Sequence, residues 1–145
     1  MRRVALRADT GSILPLVFVF VAVVLALVLV TTAATSLYVD RKRLLSLADG
    51  AAVEAAEGYD LDEVSVDHGV VRPTLTDAEV RAAAWTYLDD ADSALDDVAL
   101  ARGSSPDGRS ASVTLSAHWA PPVLTIVLPK GVTIRATSSA RSVFR

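Results

Sequence analysis

A chain of 145 residues with fourteen basic side chains, seventeen acidic ones and a formal net charge of −3 has room for one small domain and not two. It has no Cys, which excludes disulfides and thiolate chemistry, and no Asn, which removes every N-glycosylation acceptor. The charge is uneven: residues 44–97 hold fourteen acids against Arg72 and Arg81, while residues 98–145 hold six basic residues against Asp107. Such halves either attract one another, within a molecule or between copies, or are two differently solvated faces. The positive half has scattered Arg and no clustered patch, so it is not a nucleic-acid footprint.

Residues 1–12 form a short polar tail carrying Arg2, Arg3 and Arg7. From Ile13 to Val30, eighteen consecutive residues bear no charge, and fifteen of them are Ile, Leu, Val or Phe. At roughly −0.3 to −0.6 kcal/mol per large apolar residue, insertion into a bilayer is favoured by roughly 5–9 kcal/mol. Eighteen residues make about 27 Å of helix, close to the ~30 Å hydrocarbon core. Pro15 falls in the first turn, where its missing N–H costs nothing. The stretch predicts a transmembrane helix over residues 13–37. A cleaved signal ending near Thr32-Ala33-Ala34 is the alternative, although the run exceeds a signal's usual apolar length. Arg41, Lys42 and Arg43 on the far side balance the three Arg of the tail, so charge does not settle orientation.

The helical pattern then continues to about Ala56. Val30, Ala34, Leu37, Arg41, Leu44, Ala48, Ala51 and Ala55 recur at alternating spacings of four and three, one stripe of a helix. Leu37, Leu44, Ala48, Ala51 and Ala55 are the candidate packing residues, because small side chains let another backbone come close. The partner is either a helix of another subunit or, preferred, this domain's own sheet. Gly50 weakens the helix by about 1 kcal/mol relative to Ala, and Gly58 is a natural C-terminal cap.

Tyr59–Leu75 reads as an acidic loop, with His68 as a lone surface histidine. Thr76 and Glu79 have the spacing of a capping box, and Val80, Ala84, Tyr87, Leu88 and Ala91 form the apolar side of a second helix, with Trp85 expected to help cover the core. Asp89, Asp90, Asp92, Asp96 and Asp97 invite a calcium reading, but an EF-hand loop counted from Asp89 would need Gly where Ala94 stands and Glu where Leu100 stands. One more helical turn capped by Asp92 or Ser93 explains part of the cluster without a metal.

Beyond this the period changes. Val98 and Leu100 begin a strand, and Ser105-Pro106-Asp107-Gly108 is a turn, Pro presetting φ and Gly accepting a positive one. Ala111, Val113, Leu115, Ala117 and Trp119 alternate with Ser110, Ser112, Thr114, Ser116 and His118, a strand with one buried and one wet face. Val132, Ile134, Ala136, Ser138 and Ala140 repeat the pattern. Between them, Val123–Leu128 is a six-residue apolar piece bracketed by prolines, too short to classify by period. The predicted class is α+β: a long N-terminal transmembrane helix continuing into a small domain with a second helix and about three antiparallel strands.

The usual catalytic signatures are missing. Two separated His and no Cys give no zinc constellation, and no nucleophile elbow, Walker loop or dinucleotide fingerprint occurs. The expectation is a non-enzyme with no cofactor and no metal site.

Two stretches carry a family resemblance. Arg7-Ala8-Asp9-Thr10-Gly11-Ser12-Ile13-Leu14-Pro15-Leu16 is a basic tail running through Asp-x-Gly-Ser into the apolar segment. After that segment, Arg41–Ala56, read as RKRLLSLADGAAVEAA, is similar to an R-x-L-x-x-A-A-D-A-A-A-L-A-A-A pattern. Together they resemble the TadE/TadG-like family of Tad (Flp-type) pilus-assembly proteins. The resemblance implies a pilin-like plan in a single-pass protein of the bacterial cell membrane, with residues 1–12 cytoplasmic and 38–145 an extracytoplasmic domain. Its partners would be the lipid bilayer and other pilus or secretion-system membrane proteins, pilin-like homologues among them. It also implies Gly11–Ser12 as a candidate prepilin-type cleavage bond. The fifth residue after that bond is Leu16 where pilin-like members carry Glu. Both an uncut accessory protein and a cut minor pilin stay open, beside an anchored binding module and a secreted domain.

Overall fold

A computed structural model describes residues 13–58, 65–67, 70–72, 75–121 and 130–141. Helix α1 runs unbroken from Ile13 to Glu57. Two short strands, β1 (Ser65–Asp67) and β2 (Val70–Arg72), pair antiparallel as a small ribbon. Helix α2 (Asp77–Asp90) precedes β3 (Ala99–Ser104), β4 (Ser110–Trp119) and β5 (Val132–Arg141), which form an antiparallel sheet in the order β3-β4-β5. Both helices lie on one face of it, α1 across β4 and β5, α2 against β3 and against α1. The layout is the α+β arrangement expected from the change of period along the chain.

The alternation in β4 sorts its side chains as the sequence predicts. Ala111, Val113, Leu115, Ala117 and Trp119 are buried beneath the helices, and His118 is exposed on the opposite face. That outer face is knit by hydroxyls, Thr114 to Thr137 at 2.9 Å and Ser139 donating to Ser112 at 3.1 Å. The alternation in β3 is broken by a bulge between Leu100 and Arg102, which leaves Ala101 out of register. Gly103 then turns inward, where a Cβ would lie 2.8 Å from Arg81 Cγ on α2.

Turn and cap chemistry act where expected. The Thr76 hydroxyl accepts from Glu79 N–H at 3.3 Å while the Glu79 carboxylate accepts from Thr76 N–H at 2.6 Å, a complete capping box. In the β3–β4 turn, Asp107 Oδ1 accepts from Arg109 N–H at 3.0 Å and Ser110 N–H at 2.7 Å, and Gly108 takes φ 69°. The two devices are stitched together: Asp77 Oδ1 accepts from Ser105 N–H at 2.7 Å, and Gly108 C=O from Leu75 N–H at 2.9 Å.

Three expectations need correction. The stretch read as a loop contains the β1–β2 ribbon, whose three-residue strands are too short to show a period. Trp85 is 56% exposed instead of covering the core, because it sits well over 100° around α2 from the arc centred on Val80, Ala84 and Tyr87. No helical turn follows Ala91; Ser93 Oγ instead accepts from Leu95 N–H at 3.2 Å, a local turn that competes with helix. Gly11, Ser12, His68 and Val123–Leu128 lie outside the described residues.

Candidate functional site: the two halves of α1

The long helix has two surfaces because its sequence has two compositions. In the first half the large apolar side chains point outward all round: Ile13, Leu14, Phe18, Phe20 and Leu27 are each more than 60% exposed. An 18-residue window of this half is apolar enough to cross a membrane by length and composition, and none of it is buried within the protein. Thr31, Thr32 and Thr35 continue the run without exposing a free hydroxyl, each donating to the carbonyl four residues earlier at 2.8–2.9 Å. An uncharged helical surface thus extends from Ile13 to Val39.

The second half is the core of the domain. Leu44, Ala48, Ala51 and Ala55 are buried against β4 and β5, and Ala52 and Ala56 widen the buried arc. Leu37 is half-buried at the upper end of the stripe, while Val30, Ala34 and Arg41 are exposed. The alanines do this work because a methyl group holds the helix close to Ala111, Val113, Leu115 and Ala117 on β4. The transition falls near residue 33: Ala33 is buried, and Trp119 Nε1 donates to Ser36 Oγ at 3.3 Å.

Gly50 faces α2. A Cβ there would come within 2.5 Å of Tyr87 Cζ and onto its hydroxyl oxygen, so the glycine makes room for the tyrosine ring between the helices. Nothing in the local sequence signals this contact, since Gly50 and Tyr87 belong to separate helices.

The acidic segment after α2 behaves as surface. Asp89, Asp90, Asp92, Asp96 and Asp97 are all exposed, and among the described residues no three His, Cys, Asp or Glu gather in a way that could hold a metal ion. Asp96 contributes its backbone carbonyl, which accepts from His118 N–H at 3.1 Å and ties this segment to β4.

A feature that sequence reading missed lies beside α1, where Tyr38, Arg41, Lys42 and Leu45 meet Arg135, Ala136 and Thr137 of the edge strand β5 around a groove of about 540 Å³. An adjoining hollow of about 480 Å³ is lined by Ala34, Leu37 and Ile134, again with Tyr38, Arg41 and Arg135. Arg41 and Lys42 are visible in the sequence, but that they line a groove with β5 depends on which strand lies at the sheet edge beside α1.

Residues 11–58 match the family model Tad, described as "Putative Flp pilus-assembly TadE/G-like". The matched segment coincides with α1 almost end to end. No curated protein and no solved structure matches the chain.

Proposed function

From the match of residues 11–58 to the TadE/G-like model of Flp pilus-assembly proteins, we propose a membrane-anchored, non-catalytic component of a Flp-type pilus or related secretion system, either a minor pilin or an assembly accessory protein. Residues 1–12 are the cytoplasmic tail, residues 13–37 the span and residues 38–145 the extracytoplasmic domain. The observation that carries this reading is the division of the family segment itself. One half of α1 is apolar and exposed, the other is buried in the chain's own core. The helix therefore offers lipid or neighbouring membrane helices its first half only, and holds the domain at a fixed height with its second. The unbroken helix through Thr32–Ala34 favours a retained anchor over a secreted domain, since a peptidase would have to unwind it there.

The test is photo-crosslinking in the native cell from positions on the exposed half, such as Phe20 and Leu27. Products containing other pilus membrane proteins are expected, and crosslinks to lipid alone would remove the assembly role. Intact mass separates the sub-classes: a chain beginning at Ser12 is a processed minor pilin, and one beginning at Met1 an uncut accessory protein. A chain beginning near Thr35 would be a secreted domain and would overturn the anchor.

A further inference from the structure

Resting on the membrane-anchored reading above, we propose that the groove between α1 and β5 is a binding site for the phosphate headgroup of an anionic glycerophospholipid, in the leaflet from which the domain emerges. Three cations line it, Arg41 and Lys42 from α1 and Arg135 from the edge strand β5, and among the described residues no carboxylate does. The ion pair formed in this region, Arg43 with Asp40 at 3.3 Å, involves none of the three. Lys42 Nζ is 5.8 Å from the centroid of the Tyr38 ring, a cation–π contact between two residues that line the groove.

Height and polarity match a lipid better than a free anion. The uncharged surface from Ile13 to Val39 is about 40 Å long, against ~40–45 Å for a bilayer with its headgroups. Tyr38, Arg41 and Lys42 then fall at headgroup level, where aromatic rings and basic side chains are stable. The hollow also has a gradient along its length. The end toward the bilayer is lined by Ala34, Leu37 and Ile134, and Lys42 joins at the far end, beside Leu45 and Ala136. An acyl chain fits the first and a phosphate the second, whereas inorganic phosphate would leave the apolar end empty.

The experiment reconstitutes the full chain in phosphatidylcholine nanodiscs containing spin-labelled phosphatidylglycerol or spin-labelled phosphatidylcholine, and reads the motionally restricted fraction of each. Phosphatidylglycerol is expected to associate several-fold more. The variant Arg41→Gln/Lys42→Gln/Arg135→Gln should abolish the preference, and Arg41→Lys/Arg135→Lys should keep it. Arg135→Gln alone should weaken it, although position 135 lies far from the span in sequence. Equal association of the two lipids overturns the site. So does a preference that survives the triple Gln variant and disappears with Arg2→Gln/Arg3→Gln/Arg7→Gln, or one abolished by excess inorganic phosphate. A chain that fails to enter the discs overturns the anchor together with the site, while one that enters without lipid preference overturns the site alone.

Discussion

Gly50 interrupts an alanine-rich stretch of α1 at a cost of about 1 kcal/mol in helix propensity, and the Tyr87 ring lying over it is what makes the glycine necessary. A Cβ at position 50 would overlap the hydroxyl end of the half-buried Tyr87 ring, so the ring must shift for a methyl to fit. Overpacking of this kind costs roughly 1–3 kcal/mol, which outweighs the propensity gain. Gly50→Ala should therefore lower stability in urea denaturation of the micelle-bound chain, and Gly50→Ala/Tyr87→Leu should recover part of the loss. Asp107 supplies a pH-dependent counterpart. Its carboxylate lies below its ordinary pKa, first because Arg109 N–H and then Ser110 N–H donate to it. With the folded pKa below the unfolded one, its contribution is complete above the unfolded value and disappears as pH falls through the folded one. Denaturation at neutral pH and near pH 3 should show a smaller acid loss for Asp107→Asn than for the native chain; an equal loss would mean that the turn plays no part.

The elements differ in how much of them the sequence reveals. β4 was legible residue by residue, because it has one dry face and one wet face along ten residues. The capping box of α2 was legible because all its chemistry lies within four residues. The β1–β2 ribbon was not, because strands of three residues show no period. Trp85 stays outside the core because its place next to the apolar residues in sequence puts it well away from them around the helix. The groove beside β5 was out of reach altogether, since it depends on β5 being the edge strand that lies against α1, which no local pattern gives. These elements make separate predictions. Thr76→Ala removes one half of the capping box and should cost about 1 kcal/mol of thermal or chemical stability. Ala51→Leu forces a branched side chain into the contact between α1 and the sheet and should cost roughly 1–3 kcal/mol. If Ala51→Leu left domain stability unchanged while breaking assembly, the alanine stripe would belong to a partner and not to this core.

At the scale of the whole molecule, one continuous helix serves two solvents, and its halves should respond to mutation independently. Fifteen large apolar residues favour insertion by roughly 5–9 kcal/mol, and an Arg at the centre of the span costs roughly 2.5–3.5 kcal/mol besides the contribution of the residue it replaces. Leu25→Arg should therefore still leave the chain in the membrane pellet after carbonate extraction. Val21→Arg/Leu25→Arg puts two guanidinium groups on one face and should bring the balance near zero, releasing a large fraction. Neither change should shift the unfolding of the domain, because both side chains are exposed and touch none of its core. Leu44→Ala should do the reverse. Leu44 is fully buried, so truncation should cost roughly 2–5 kcal/mol of domain stability while the chain stays in the pellet. Coupling between the two readouts would mean that the exposed half of α1 is folded against something in the native membrane. The crosslinking partners would then have to account for it, because within this chain the described packing against that half begins only at Ala33 and Ser36.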